Sequence, residues 1–343
     1  MRGSDHLLGR AATTDRGSAP SSASQQPPGA PPILDHGDST QKPARESLRR
    51  LVVLVNPDAG GGSGDATPGI EELTRGVMRV DTIRIERDGA HVDELRDAAA
   101  HADAIVIAGG DGTFSRCLGD VVDLEKPIGL LPTGTANDLA RTLGLPTDPR
   151  AAALVILDGR LRRIDLGRAN GLYFCNAVGI GASVGVSREL GREEKSLFGA
   201  IAYGRAVWRV LKRANGFRIH LVGEGDVAYN GRSSQVTIAN GVHYGGGMTV
   251  HETAAIDDGR LDVLVLRPES PGQYLRHFFA FRRGRYSDAA PVWSGRTSFV
   301  RVVTSRPRDC ALDGEIRTRT PLEVAVVRKA LEIFVPDGET TGS

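Results

Sequence analysis

The chain has 343 residues, a formal net charge of +1 and a pI near 7.8. This balance lacks the basic excess typical of nucleic-acid binders, so we expect no nucleic-acid partner. The three cysteines form no zinc or disulfide pattern, and the apolar runs are too short to cross a bilayer. Because the N-terminus also lacks a signal-peptide core, the sequence predicts a cytoplasmic protein.

Residues 1–48 differ in composition from the rest of the chain. They are rich in proline, serine and glutamine, and they contain few large apolar residues. Such a segment cannot bury enough apolar surface to offset the entropy lost on ordering. A disordered tail of unassigned purpose is therefore predicted, and the remaining length suits two domains.

The first predicted strand runs from Arg50 to Val55 and leads into a glycine-rich loop. Asn56-Pro57 ends the strand, because proline cannot donate to a strand ladder, and glycines follow from Gly60 to Gly64. The loop is not a Walker A motif, since no Gly-Lys-Ser/Thr follows it. Taken alone, it is also consistent with a flexible turn.

Helices and strands alternate along the next part of the chain. We predict a helix over 71–80, a strand over 81–86, a helix over 92–100 and a strand over 104–108. Such alternation indicates a parallel, doubly wound sheet. In such sheets, ligands bind at the carboxyl ends of the strands, where the glycine loops lie.

The second glycine loop is Gly109-Gly110-Asp111-Gly112-Thr113, and apolar residues at helical spacing follow it. A strand, a glycine turn and a helix start together form an anion site, because the first helical amides are free to bind a ligand. The Asp111 carboxylate would repel a phosphate group unless both of them bind the same Mg²⁺ ion. A tight turn with a capping aspartate is the alternative interpretation.

A third junction of this kind follows the predicted strand 127–131. Its polar turn, Thr133 to Asn137, leads into a helix that we predict to begin near Asn137. Asp138 lies in the first helical turn, where the helix dipole favours a carboxylate. Capping is therefore the alternative role for Asp138.

From about residue 162 the pattern changes to short strands joined by glycine turns, which is typical of an antiparallel sandwich or barrel. The predicted strands cover 162–168, 172–181, 217–222, 234–239, 261–266, 298–304, 309–312 and 322–327. Two helices are predicted among them, over 195–213 and 271–283. The basic and aromatic stretch 274–286 is consistent with contact to an anionic membrane, or with a helix that is half core and half solvated.

Six motifs follow one another along the chain: Asn56-Pro57 with Gly60, Gly109–Thr113, Gly134–Asp138, Ala239–Met248, Asp257–Asp262 and Leu312–Glu315. In this order they resemble the diacylglycerol kinase catalytic-domain family, which includes bacterial lipid kinases and is similar to sphingosine and ceramide kinases. The resemblance covers about residues 49–336. Gly109–Thr113 also resembles a loop of NAD kinases, but the motifs at 134–138 and 312–315 point away from them.

The resemblance implies an N-terminal doubly wound α/β nucleotide-binding domain and a C-terminal antiparallel β-sandwich domain. The expected boundaries are 49–164 together with about 321–343 for the α/β domain, and 165–320 for the lipid-acceptor domain.

The resemblance also implies the site residues. Asp111, Asp138 and Asp165 would form a water-linked Mg²⁺ network. Asp313 or Glu315 would be the general base, although a plain hairpin turn is the alternative for that motif. A second, structural Mg²⁺ would bind the Asp258 carboxylate and the carbonyls near Ala255 and Arg260. The expected ATP-binding residues are Asn56, Pro57, Asp58, Ala59, Gly60, Gly109, Gly110, Asp111, Gly112, Thr113, Phe114, Ser115 and Thr135.

The function that these motifs favour is an ATP-dependent lipid kinase acting on the primary hydroxyl of diacylglycerol or a similar lipid alcohol. The alternatives are a sphingosine or ceramide kinase, a NAD kinase-like kinase of a soluble alcohol, and a nucleotide-binding regulator without catalysis. A lipid acceptor implies peripheral contact with a membrane surface. A homodimer is compatible with this interpretation.

Overall fold

The structure is a computed structural model. It describes residues 48–56, 66–76, 78–86, 89–158, 160–192, 216–249, 254–267, 272–273, 276–277, 280 and 293–337. The expected helix at 195–213, most of the one at 271–283 and the loop residues Pro57, Asp58, Ala59 and Gly60 lie outside the described residues.

Four parallel strands form the first part of the larger sheet, in the order β2-β1-β3-β4. These strands are β1 (Arg50–Val55), β2 (Arg79–Arg84), β3 (Ala104–Gly109) and β4 (Ile128–Pro132). The helices of this region are α1 (Thr67–Thr74), α2 (Val92–Ala100), α3 (Asp111–Val121), α4 (Asp138–Thr142) and α5 (Pro149–Asp158), and a 3-10 turn at Val122–Leu124 follows α3.

Helices cover both faces of these parallel strands. In β1, Val52 and Leu54 belong to a buried cluster that also contains residues of α2 and α3. Leu51 and Val53 belong to a second cluster, which contains residues of α1 and α5. Alternate side chains point to opposite faces of the sheet, and both faces are buried. For this reason the sequences of the strands are continuous apolar runs. The doubly wound α/β arrangement is confirmed.

The predicted helix over 71–80 is wrong at both ends. Helix α1 starts at Thr67, with Pro68 in its first turn, where the missing N–H costs nothing. The helix ends at Thr74, and Val80 instead pairs with Leu51 between strands β2 and β1. The strand expected at 81–86 corresponds to β2, which begins and ends two residues earlier than expected.

The remaining strands build an antiparallel region. The larger sheet continues through β4-β18-β15-β8-β9, with β5 beside β18 and β6 beside β5, and a second sheet has the order β14-β13-β10-β7-β16-β17. The strands are β5 (Leu161–Ala169), β6 (Leu172–Phe174), β7 (Ala177–Gly181), β8 (Phe217–Gly223), β9 (Ala228–Ser233), β10 (Gln235–Ala239), β11 (His243–Tyr244), β12 (Met248–Thr249), β13 (Leu261–Leu266), β14 (Trp293–Thr297), β15 (Phe299–Thr304), β16 (Asp309–Leu312), β17 (Glu315–Arg319) and β18 (Leu322–Phe334).

The two sheets share one apolar core, so this region is a sandwich rather than a barrel. Val178, Ile238 and Val263 of the second sheet lie in the same buried cluster as Leu221 and Val302 of the larger sheet. Helix α6 (Ala182–Arg192) follows β7. No helix in the described part of the chain is long and apolar enough to cross a membrane.

Strand β18 is 13 residues long and joins the parallel and antiparallel parts. Its first half pairs with β15 and β5, and near its end Ile333 pairs with Ile128 of β4. Lys329 has a positive φ of 50°, which marks an irregularity where the pairing with β5 shifts register. Because β18 pairs with strands of both regions, the pairing of the strands does not divide the chain at one position. The expected domain boundaries near 164 and 321 therefore remain predictions.

Candidate active site

Three strand-to-loop junctions meet at one edge of the larger sheet, as the alternation of strands and helices predicts. Asn56, just after β1, donates its Nδ2 to Thr113 Oγ1 at 2.9 Å. After β4, the Thr133 N–H donates to the Gly109 carbonyl at 3.1 Å. These bonds connect the ends of β1, β3 and β4, so the described members of the three motifs form one surface.

Two glycines allow the second and third loops to touch through their backbones. A Cβ on Gly110 would lie 2.8 Å from the Gly134 Cα, closer than a side chain tolerates. Gly110 is the N-cap of α3, and the first helical bond runs from the Phe114 N–H to its carbonyl. The preceding amides lie in the first turn, where no intrahelical acceptor is available, so this end of α3 can bind an anion.

The Asp111 carboxylate caps the short helix α4. Its Oδ2 accepts the Asp138 N–H at 3.0 Å, and its Oδ1 accepts the Leu139 N–H at 3.1 Å. The carboxylate of Asp138 accepts in turn the N–H groups of Gly246 and Gly247, at 2.8 and 2.7 Å. Each aspartate therefore binds the backbone of a distant segment and does not cap the helix in whose first turn it lies, so the capping alternative is not what the structure shows.

The neighbourhood of Asp111 and Asp138 is acidic and rich in oxygen. Burial, with a smaller contribution from the charge of Asp111, raises the pKa of Asp138. The Asn176 Nδ2 lies 3.5 Å from Asp111 Oδ1, and its buried Oδ1 has no hydrogen-bond partner among the described residues. Within those residues, no three His, Cys, Asp or Glu side chains are grouped as metal ligands.

Asp165 has different partners from the other two aspartates. Its carboxylate accepts the Gly259 N–H at 2.6 Å and the Lys329 N–H at 2.7 Å, and burial raises its pKa. The side chain thus ties β5 to the loop before β13 and to β18. The Asp111 carboxylate thus binds the backbone N–H of Asp138, whereas the Asp165 carboxylate binds the backbone of two residues outside this pair.

The Asp313-Gly314 pair is a two-residue hairpin turn between β16 and β17. Leu312 pairs with Glu315, and the two central residues have positive φ values of 45° and 88°. Asp-Gly suits such turns, because glycine adopts positive φ freely and aspartate tolerates it better than most residues. The motif therefore forms a hairpin turn, and this turn brings two carboxylates to the site.

The carboxylates of Asp313 and Glu315 have different surroundings. Asp313 accepts backbone N–H groups from Cys175, Asn176 and Ala177, at 2.9, 2.8 and 3.0 Å. The Glu315 side chain is 38% exposed, and its Oε1 would lie 3.1 Å from a Cβ built on Gly112. Glu315 therefore lies over the first turn of α3 with a solvent-accessible carboxylate.

Three residues of this region were not expected from the sequence. The Arg116 Nε lies 3.8 Å from Glu315 Oε1, and Arg317 Nη1 donates to the Ser115 carbonyl at 3.2 Å. Asn176 lies between β6 and β7. The sequence carried no clear signal for them: Arg317 is the extra residue of a β-bulge between β16 and β17, and Asn176 is a single polar residue in an apolar stretch.

A pocket of about 320 Å³ opens beside α3 and also went unpredicted. His91 is buried there: its Nδ1 accepts the Glu86 N–H at 3.1 Å, and its Nε2 lies 3.8 Å from Asp120 Oδ2. Burial raises the pKa of the Cys117 thiol to about 12, so the thiol stays protonated. The lining residues are Asn56, Ile85, Glu86, Gly89, His91, Arg116, Cys117 and Asp120.

The remaining expected residues occupy two other places. Thr135 is exposed in the turn between β4 and α4. Asp258 lies in the loop between Ala255 and β13, where its Oδ1 accepts the Arg260 N–H at 2.9 Å and its Oδ2 binds the Arg296 guanidinium.

Two family models match consecutive parts of the chain. The diacylglycerol kinase catalytic domain matches residues 50–169, and the YegS C-terminal NAD kinase beta sandwich-like domain matches residues 176–335. A diacylglycerol kinase of Mycobacterium tuberculosis (strain ATCC 25618 / H37Rv) is 31% identical over 304 residues, which cover 85% of this chain and 97% of that protein. A diacylglycerol kinase of Bacillus subtilis (strain 168) is 27% identical over 312 residues, covering 84% and 97%.

A solved structure shows the same fold. The crystal structure of a diacylglycerol kinase from Bacillus anthracis str. Sterne aligns with a TM-score of 0.64 at 20% identity. The alignment covers 84% of this chain and 97% of that chain, so both the α/β part and the sandwich are included.

Proposed function

The chain belongs to the diacylglycerol kinase family, and from that premise we propose that it transfers the γ-phosphoryl group of ATP to a primary hydroxyl of diacylglycerol or a similar lipid alcohol. One observation carries the proposal: the Glu315 carboxylate lies over Gly112, in the first turn of α3. A base beside an anion-binding helix end is the arrangement that phosphoryl transfer to an alcohol needs.

In this proposal the phosphates of ATP bind at the start of α3, where free amides and the helix dipole favour negative charge. The pocket beside α3 is lined by Asn56 and by Arg116, Cys117 and Asp120 of that helix. At about 1.5 Å per residue, Asp120 lies roughly 14 Å along the helix axis from Asp111, so the pocket is close enough to take the nucleoside of a nucleotide whose phosphates bind at the helix start. We assign the pocket to the nucleoside.

Mg²⁺ fits beside Asp111 and Asp138. The two carboxylates repel one another, and the unpaired Asn176 Oδ1 adds a neutral oxygen, which is the donor type that Mg²⁺ prefers. Bound there, Mg²⁺ would neutralise charge on the phosphate oxygens. The Leu139 N–H holds the Asp111 carboxylate in place, and the Gly246 N–H holds the Asp138 carboxylate.

Glu315 is the better candidate for the general base of the two hairpin carboxylates. Asp313 already accepts three backbone N–H groups, so its oxygens have little freedom to take a proton from a substrate. Glu315 is partly exposed and can meet a hydroxyl that enters from solvent or from a membrane surface. Asp313 positions the hairpin that carries it.

An acceptor panel tests the proposal. Purified protein with Mg²⁺-ATP would be given dioctanoylglycerol, sphingosine, glycerol or NAD, the lipids in detergent micelles. We expect dioctanoylglycerol to have the highest kcat/KM. Preference for glycerol or NAD would contradict the lipid assignment, and preference for sphingosine would move it to another lipid alcohol.

A further inference from the structure

The loop before β13 concentrates negative charge near the sandwich. Asp257 and Asp258 precede Gly259, and Asp262 is the second residue of β13. The Asp262 side chain is only 7% exposed and that of Asp258 is 24% exposed. Carboxylates removed from water to this extent require compensating positive charge.

The side chain of Arg296 supplies this charge. Its Nε lies 2.9 Å from Asp262 Oδ1, and its Nη2 donates to Asp258 Oδ2. The other oxygen of Asp258 accepts the Arg260 N–H. One planar guanidinium therefore connects the loop to the strand, using the fixed geometry of its donors.

The sheet register holds Arg296 in this position. Strands β13 and β14 pair antiparallel, and Arg296 is directly opposite Asp262. Directly opposite residues in a ladder are close enough for their side chains to interact. Because Leu261 pairs with Thr297 and Val263 with Gly295, the position of Arg296 follows from backbone pairing.

A divalent cation fits poorly at a carboxylate that already has this partner. Mg²⁺ requires a near-octahedral set of oxygen ligands, and a guanidinium on the same carboxylate places a second positive charge beside it. The family resemblance implies such a cation on Asp258 with the carbonyls near Ala255 and Arg260. The donor set of this chain disagrees with that expectation.

We propose that Arg296 takes the place of the second, structural divalent cation in this protein. Its guanidinium neutralises Asp258 and Asp262 and fixes the loop to β13, so the sandwich folds without a resident metal ion. The inference does not depend on which alcohol the enzyme phosphorylates.

The test measures thermal unfolding of the full chain without nucleotide, in EDTA and in MgCl₂. Asp111→Asn is measured beside the wild type, because it removes one carboxylate of the Mg²⁺ site proposed beside Asp111 and Asp138. A resident ion that binds only the folded state would raise the melting temperature, so in Asp111→Asn we expect the two values to agree within about 1 °C. Arg296→Gln should melt at least ~3 °C lower than the wild type in both buffers, because it removes the guanidinium charge that Asp258 and Asp262 share.

Arg301→Gln is the matched control. Arg301 also forms an ion pair from a strand, with Glu323 at 3.6 Å, but both side chains are about half exposed. This variant should melt like the wild type. An Asp111→Asn variant that is destabilised by EDTA and restored by Mg²⁺ would overturn the proposal, as would equal melting temperatures for the two glutamine variants.

Metal analysis of purified Asp111→Asn, which lacks one carboxylate of the proposed Asp111 and Asp138 site, provides a second test if Arg296→Gln does not fold. We expect Mg²⁺ and Ca²⁺ well below one ion per chain after gel filtration in metal-free buffer. One retained ion per chain would contradict the proposal.

Discussion

Asp313 and Glu315 are two residues apart, and the backbone between them separates their roles. The turn directs Asp313 toward three N–H groups of residues 175–177 and leaves Glu315 over the first turn of α3. A carboxylate that accepts several amides is held in one orientation, whereas a partly exposed one can exchange a proton with a substrate. The first carboxylate therefore supports the hairpin, and the second carries the proposed chemistry.

Glu315→Gln tests this division. The substitution keeps the shape of the side chain and removes its basicity, so we expect kcat to fall by ~10²–10⁴-fold with the melting temperature unchanged. An unchanged kcat would exclude Glu315 as the base.

Asp313→Asn is the companion variant, and it should behave differently. In the variant, an NH₂ group replaces one of the two carboxylate oxygens, and this group cannot accept a hydrogen bond. Backbone N–H groups that now bind Asp313 would therefore lose their acceptor, at a cost of about 1–3 kcal/mol each. We expect a lower stability to urea. If Asp313→Asn lost activity and Glu315→Gln did not, the two roles would be reversed.

At this scale the sequence predicted candidate residues better than their contacts. Asp111, Asp138 and Glu315 were singled out because they fall within ordered motifs that resemble the diacylglycerol kinase family, although capping and a hairpin turn were local alternatives. The partners of Asp138 are more than a hundred positions away, at Gly246 and Gly247, and no local pattern specifies that pairing. Asn176 was missed for the same reason, since only the fold brings it to Asp111.

At the scale of elements, the site depends on loops that pack backbone against backbone. Gly110 and Gly134 belong to the second and third loops, and each lacks room for a side chain on the face that meets the other. The start of α3 is therefore set by contact with the neighbouring loop as well as by its own sequence.

Gly110→Ala should separate these loops. The added methyl would lie 2.8 Å from the Gly134 Cα, and we expect a loss of about 1–3 kcal/mol in stability with a clear fall in kcat/KM. Urea unfolding and steady-state kinetics would measure the two effects.

Gly119→Ala is the control in the same helix. Among the residues that the structure describes, no atom outside the helix's own backbone lies within 4 Å of the position that its Cβ would occupy, so the substitution should be neutral or should stabilise by roughly 0.5–1 kcal/mol. Equal effects of the two substitutions would show that close packing of the loops is not required.

Elements were predicted well where a pattern is local. Helix α2 matches its expected bounds of 92–100, and β13 matches 261–266, because each shows clear apolar periodicity or a continuous apolar run. Helix α1 was displaced because Pro68 opens it, and the sequence assigned nothing to α5. The short strand β14 was missed, since its five residues, Trp-Ser-Gly-Arg-Thr, lack an apolar run.

At the scale of the whole molecule, β18 connects the two regions that form the site. It contributes Val324 and Val326 to the core of the sandwich, and Ile333 and Phe334 to the two clusters around the parallel strands. The proposed phosphate site and the hairpin that carries Glu315 are therefore linked through one continuous strand. The expected return of the chain near residue 321 is compatible with this path.

Phe334→Ala tests this link. Phe334 is fully buried, and removing its ring should cost about 3–5 kcal/mol. Because β18 joins both regions, we expect activity and β-sheet circular dichroism to be lost together at a lower urea concentration.

Val303→Ala is the corresponding control on β15, where the side chain is 37% exposed, and it should cost less than about 1 kcal/mol. Loss of activity well before the circular dichroism changes in Phe334→Ala would show that the two regions unfold separately.

The proposed transfer of the γ-phosphoryl group of ATP onto a lipid hydroxyl can be measured directly. The measurement compares [γ-³²P]ATP with [α-³²P]ATP as the donor to dioctanoylglycerol or sphingosine in micelles with Mg²⁺, counting label in the organic phase. We expect labelled phosphatidate from dioctanoylglycerol with the γ-labelled donor alone, and a strongly reduced signal in Glu315→Gln. Organic-phase label from the α position, or no label from either donor with either lipid, would contradict the proposal.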